Sequence, residues 1–388
     1  MSVEKEFGAP LQDQGGTGFA PGASEKFAAA AERRAIMVSG CGCGFTRRDI
    51  LRAGAIGAAG LLTGAARLGA QAKKGMRIDI HAHLWNVEYL DLCQSYGNVD
   101  TGTQRNKGAG MGPEEIDKRF ALMEANGVDM QILDICPQGP HFENKDHAVK
   151  AAHMANDLYA EAVSRWPKKF KAFAAVPLPH VDEALKELER ALDQLKFVGA
   201  TMTTFVGNHS PADPAFAPFY EELNRRGTVL YIHPSGNGID SPYVIPFNLR
   251  WAIGAPMEDT VSIMHLIEAG IPQKYPKLKI VNSHLGGMLP MVFQRIDNIS
   301  KWEHPLPELP SLTAKRMWYC SVGHGHPPAL RAAVDSMGAD RICLGTDFPY
   351  ENGPLFDEAI QYISKSGLKP GDAEKILDWN AARVLGLA

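Results

Sequence analysis

The sequence predicts an α/β fold, a distorted (β/α)8 TIM barrel, from three observations. Eight short apolar runs rich in β-forming residues recur from Met76 onward. Between them lie segments with apolar residues at three- and four-residue spacing, the mark of amphipathic helices. The runs are nearly continuous in hydrophobicity, as parallel strands buried on both faces must be. No internal repeat and no linker after Lys74 divides the chain, so residues 73–388 read as one catalytic domain behind a disordered leader.

The expected strands are, in order, Arg77–His83, Gly127–Cys136, Phe170–Leu178, Val198–Phe205, Gly227–Pro234, Lys279–Gly287, Met317–Gly323 and Arg341–Tyr350. Expected helices include PEEIDKRFALMEAN, VDEALKELERALDQL, PAFAPFYEELNRR and PPALRAAVDSM. The longest irregular stretches, Asp91–Met111 and Gly236–Gly254, follow the first and fifth strands, where the active-site loops of a barrel belong.

The first 72 residues differ in character. Met1–Ala30 is rich in Gly, Ala, Gln and Ser without apolar periodicity and reads as disordered. Thr46-Arg47-Arg48, a mildly apolar stretch from Ala53 to Ala66 and the small-x-small Ala70-Gln71-Ala72 then resemble a twin-arginine export signal. The expectation is cleavage after Ala72 and export to the periplasm by the twin-arginine machinery. The apolar stretch is too short and too rich in Gly and Ala for a stable membrane span. Cys41 and Cys43 offer only two ligands beside this leader, and the other four cysteines are too scattered to form a disulfide framework.

The 388 residues are 45% hydrophobic and 22% charged, with a formal net charge of −4. Without a long basic run, nothing electrostatic recommends nucleic acid or an anionic membrane as partner, which leaves a small molecule.

Four of the eight runs end in metal-binding residue types: His81 and His83 on the first, His233 on the fifth, His284 on the sixth and Asp347 on the eighth. In a barrel these C-terminal strand ends converge on one mouth. Strand alternation puts His81 and His83 on the same face, about 7 Å apart at Cα. Imidazole and carboxylate suit a borderline divalent ion such as Zn²⁺. Singly, each residue is more often structural, and GTDFP could be a helix cap; their coincidence at one mouth is what points to a metal. We therefore expect His81, His83, His233 and Asp347 as ligands of one divalent ion, Zn²⁺ first and Mn²⁺ as the alternative. His284 and Asp347 are the expected catalytic groups, His284 as an acid/base tuned near neutrality. The other reading of His284 is a fifth ligand, or a group that orients one.

These residues, in DIHAHLWN, RFALMEANGVDMQIL, YIHPSG, the stretch from Trp251 to Asp297, DRICLGTDFPY and ILDWNAARVLGL, resemble the amidohydrolase superfamily. Within it they resemble the decarboxylase branch typified by aminocarboxymuconate-semialdehyde decarboxylase. The resemblance implies the same ligands, and a single metal because VGATMTTF lacks the lysine that bridges two. It also implies substrate contacts from Arg119, Trp251, Arg295 and His326, with Arg295 reaching a neighbouring subunit's site in a homodimer. In the other reading Arg119 pairs with Glu115, Arg295 pairs with Asp297 or caps a helix, and Trp251 simply packs.

The activity expected from this resemblance is non-oxidative decarboxylation of an aromatic or unsaturated carboxylic acid. Hydrolysis of a lactone, ester or amide, or hydration of a double bond, are the alternatives, because barrel loops rather than strands select the chemistry. A non-catalytic periplasmic binder has no use for an acid/base histidine beside an open coordination position.

Overall fold

The computed structural model describes residues 75–387 apart from 237–243, 245–246 and 248. The leader with its twin-arginine motif, and most of the irregular stretch after the fifth strand, lie outside the described residues. All eight expected strands form: β1 Ile78–His83, β2 Met130–Asp134, β3 Phe170–Ala175, β4 Gly199–Thr203, β5 Val229–His233, β6 Lys279–Asn282, β7 Trp318–Cys320 and β8 Ile342–Cys343. Each pairs in parallel with the next, in the order β1 to β8. The ends of the sheet meet through backbone bonds: Ile80 N–H donates to Leu344 O at 2.9 Å, Asp347 N–H to His81 O at 2.9 Å and His83 N–H to Phe348 O at 2.7 Å. The TIM barrel expected from the sequence is therefore present.

The helices between the strands include α1 Val87–Ser95, α2 Pro113–Ala125, α3 Lys145–Arg165, α4 Val181–Glu189, α5 Ala217–Arg226, α6 Ala255–Glu268, α7 Leu289–Trp302, α8 Pro327–Met337 and α9 Pro354–Lys365. Proline opens α2, α8 and α9, where its missing N–H costs nothing. Asn86 and Asn144 cap α1 and α3 with side-chain oxygens that accept from Tyr89 N–H and His147 N–H. Two apolar layers result. An inner one, with Ile132, Phe173, Tyr231, Val281 and Cys320, is joined by Ala381, Ala382 and Val384 of the C-terminal segment. A larger outer one packs Leu133, Leu230, Ile280 and Leu344 against the helices.

The departures from regular geometry lie at the mouth. In β1 three residue steps from Asp79 to Ala82 match two on β2, from Gln131 to Leu133, so the strand carries a β-bulge. Asp79 is thereby paired with Gln131 toward α2, while His81 and His83 remain together beside Tyr231 and His233. The last two strands are shorter than the sequence implied, and His284 and Asp347 do not sit on strands. They lie two and four residues past β6 and β8, with φ of 45° and 61°. The expectation that they end their strands is corrected: the left-handed backbone turns their side chains inward after the strand has finished.

Gly345, between β8 and Asp347, has no room for a side chain. A Cβ there would lie 2.9 Å from His81 Cβ and 3.0 Å from Cys320 Cβ. Gly345→Ala is expected to destabilise the barrel by about 1–3 kcal/mol through overpacking and to displace His81, seen as a lower urea midpoint together with weaker divalent-metal binding.

Candidate active site and metal centre

Five side chains from four parts of the chain meet at the mouth. His81, His233, His284 and Asp347 each place one donor atom within 4.8 Å of every other. His83 joins them, its Nε2 lying 3.2 Å from His81 Nε2 and 3.2 Å from Asp347 Oδ1. His81 Nε2 is 3.1 Å from the same oxygen. His81 and His83 are fully buried and His233 nearly so.

The groups behind these side chains fix which atoms face the centre. His83 Nδ1 is 3.2 Å from the carbonyl of Asp134 and His233 Nδ1 is 2.9 Å from the carbonyl of Pro234. A carbonyl can only accept, so each Nδ1 carries a hydrogen and each ring turns its Nε2 toward the centre. His81 Nδ1 lies 3.2 Å from Cys320 Sγ. Burial pushes His81 down to about 3, which keeps it a neutral donor.

Lone pairs so arranged repel one another unless a cation lies among them. His233 Nε2 is buried with no hydrogen-bond partner, a cost that a metal would remove. Ligands held about 2.0–2.2 Å from a common ion stand roughly 3 Å apart, as the His81, His83 and Asp347 atoms do. The residues present therefore fit a divalent metal.

His284 is held differently. Its Nδ1 donates to Asp259 Oδ2 at 3.0 Å, and Ser283 Oγ donates to Asp259 Oδ1 at 2.8 Å. Its Nε2 is 3.9 Å from Asp347 Oδ2. Burial alone would lower the basicity of His284, but the charges of Asp259 and Asp347 outweigh it and raise the pKa to about 10. The Ser-His-Leu-Gly-Gly sequence makes this geometry possible: φ is positive from His284 through Gly287, and a Cβ on Gly287 would lie 2.2 Å from Pro256 O.

Sequence reasoning missed Asp259 and Cys320, and also the buried support under β1. Asp79 accepts from Gln131 Nε2 at 2.8 Å, Thr346 Oγ1 at 2.6 Å, Thr346 N at 3.0 Å and His81 N at 3.1 Å. Gln131 Oε1 in turn accepts from Arg119 Nε at 2.6 Å. The substrate contact expected of Arg119 is corrected here. The residue is 1% exposed, donates from Nη1 to His83 O at 2.9 Å, and has its guanidinium over the rings of Phe170 and Phe348. It braces the metal-site strand from behind. Its suggested pairing with Glu115 is not seen either.

A cavity of about 1050 Å³ opens over the donors. Trp251 and His326 line it, together with Leu285, Val322, Met291 and Tyr350, and so do Lys107 and His324. Lys107 Nζ stands 5.7 Å from the Tyr350 ring centroid. Arg295 is exposed on α7 and does not line this cavity, and Asp297 accepts from Ser311 instead.

A family model described as amidohydrolase matches residues 78–387. The chain belongs to the amidohydrolase family. Among curated amidohydrolase relatives, gamma-resorcylate decarboxylase of Polaromonas sp. strain JS666 is 30% identical over 286 residues, covering 69% of this chain and 86% of the relative. The 2-amino-3-carboxymuconate-6-semialdehyde decarboxylase of Dictyostelium discoideum is 27% identical over 345 residues, covering 81% and 92%. The crystal structure of dihydroxybenzoic acid decarboxylase from Polaromonas sp. JS666, with bound manganese and the inhibitor 2-nitroresorcinol, superimposes with a TM-score of 0.69 at 26% identity, covering 81% of this chain and 97% of that one.

If the donor cluster is a metal site, the double variant His81→Ala/His83→Ala will fold yet lose its divalent ion. Metal analysis after dialysis should fall from about one ion per chain to background, since imidazole ligands carry most of the affinity. Full occupancy in the folded variant would contradict the assignment.

Proposed function

We propose that the protein is a metal-dependent carboxy-lyase that removes CO₂ from an aromatic or unsaturated carboxylic acid without oxidation. The observation that carries the reading is the buried donor cluster, with a strongly basic histidine beside it, at the floor of a largely apolar cavity. The relatives described above are decarboxylases, which favours this chemistry over the hydrolysis of a lactone, ester or amide.

His81, His83, His233 and Asp347 would hold the ion. Zn²⁺ is the first choice for an imidazole-rich set, with Mn²⁺ the alternative that the Polaromonas structure contains. When bound, a divalent cation supplies charge that orients the substrate's oxygens and stabilises negative charge developing on them. The chain's own residues do the rest. Trp251, Leu285 and Val322 hold the ring and exclude water, and the cationic Lys107 is the group available to a carboxylate. His284, kept protonated by Asp259, delivers a proton to the ring carbon that bears the carboxylate, with Asp347 assisting. The bond to the carboxylate carbon then breaks, its electron pair returns to the ring, and CO₂ leaves. His284 recovers its proton from solvent.

The same reading includes a homodimer in which Arg295 reaches the partner's cavity. It also includes twin-arginine export to the periplasm, supported by Thr46-Arg47-Arg48 and the small residues up to Ala72. Among the described residues no helix is long and apolar enough to cross a membrane.

Incubation of the Mn²⁺- or Zn²⁺-loaded protein with hydroxybenzoic acids should release one CO₂ per acid consumed without ¹⁸O entering the product from labelled water. Incorporation of ¹⁸O without CO₂ would overturn the reading. Asp259→Asn keeps the shape of the His284 contact but removes the charge that raises its basicity. It is expected to lower kcat by about 10²-fold or more. Because His284 then loses its proton at lower pH, the alkaline fall in kcat should move to lower pH.

A further inference from the structure

The cavity wall carries a histidine, backed by a buried carboxylate, that the reaction outlined above leaves unused. His324, in the turn after β7, lines the cavity, and its Nδ1 donates to Glu351 Oε1 at 2.6 Å. Glu351 is 5% exposed and lies in the turn after β8, where its N–H donates to Asp347 O at 3.3 Å. A buried carboxylate needs such a partner, because an unpaired charge there is costly. The histidine, by contrast, has a side chain 73% exposed toward the opening. Its Nε2 has no protein partner among the described residues.

The turn is built at some cost. His324 has φ 47°, a left-handed conformation that a non-glycine residue holds only when its surroundings impose it. Gly325 follows at φ 65°, where a Cβ would meet the Glu358 side chain at 2.7 Å. Two loops thus cooperate to hold one imidazole at the cavity wall with Nδ1 occupied and Nε2 free. The 2.6 Å contact with the buried Glu351 carboxylate raises the basicity of His324 and so favours the protonated ring, in which Nε2 also carries a hydrogen. Apolar or small residues of the same lining, Val322, Gly323, Pro328 and Ala329, flank it in the sequence, and His326 lies two residues along the turn.

We propose that His324 is a specificity-determining residue whose Nε2–H binds a second oxygen-bearing substituent of the substrate, a phenolate, hydroxyl or carboxylate remote from the carboxylate that is lost, and that Glu351 positions it. This rests on the decarboxylase reading and narrows its substrate class to ring acids with a further anionic or acceptor group, in preference to simple alkyl-substituted acids. Val322 does not hydrogen-bond such a group, and a methyl substituent at the same place gains nothing from the His324 donor, so the difference between the two ligands reads the contact directly.

The test is isothermal titration of the Mn²⁺-loaded protein with phthalate, isophthalate and terephthalate, each against the methylbenzoate substituted at the same position. At one position at least, the dicarboxylate should bind about tenfold more tightly than its methyl counterpart. His324→Ala should abolish most of that ratio, His324→Asn should restore part of it, and Glu351→Gln should reduce it. Manganese content and urea midpoint of each variant separate this effect from misfolding. If the ratio is absent in the unaltered protein, or survives in His324→Ala, the role of His324 is refuted while the decarboxylase reading stands. If none of the six acids binds the loaded protein, the role of His324 is likewise refuted, while the decarboxylase reading is decided separately by CO₂ release from hydroxybenzoic acids.

Discussion

Three electron-rich atoms, His81 Nε2, His83 Nε2 and Asp347 Oδ1, stand 3.1–3.2 Å apart on groups that are almost wholly buried, and a fourth, His233 Nε2, adjoins them with no partner of its own. In water such groups would separate and hydrate. Here they are held together by the strands that carry them and by hydrogen bonds on their far sides. The molecule therefore contains a site whose electrostatics are satisfied only by a cation. The bulge in β1, the left-handed turns after β6 and β8 and the buried network around Asp79 all serve to keep that arrangement from relaxing.

That network explains a residue that sequence alone misassigned. Arg119 has the charge and the position in a similar stretch that suit a carboxylate partner, yet it is enclosed between Phe170 and Phe348 and bonded to His83 O and Gln131. A guanidinium with its donors arranged as a planar fork can join a main-chain carbonyl and a side-chain amide at once, which a lysine could not do as rigidly. Its charge faces Asp79 through Gln131, so a buried cation and a buried anion are linked without touching. Lys107 and His324, not Arg119, line the cavity.

Much of the fold was legible because burial on both faces leaves a plain mark. All eight apolar runs became strands, and PPALRAAVDSM became a helix with the expected bounds. The convergence of His81, His83, His233, His284 and Asp347 followed from the rule that parallel barrel strands point their ends to one mouth. What was not legible depends on contacts between distant segments. Asp259 is one carboxylate in a helix with another acid beside it, and only the close approach of α6 to the turn after β6 marks it out. Cys320 looks like any buried cysteine until His81 and the His284 amide are seen beside its sulfur. The bulge in β1 is a matter of register with β2, and the side-chain pattern of IDIHAH does not announce it.

The donors include His81 and His83 from β1, the first strand, and Asp347 from the turn after β8, the last, joined across the barrel's closing seam by the bonds from Asp347 N to His81 O and from His83 N to Phe348 O. The full donor set exists only where these two distant segments are joined, so binding of an ion by all of them is coupled to closure of the barrel, and occupancy of the site serves as an internal certificate that the barrel has closed.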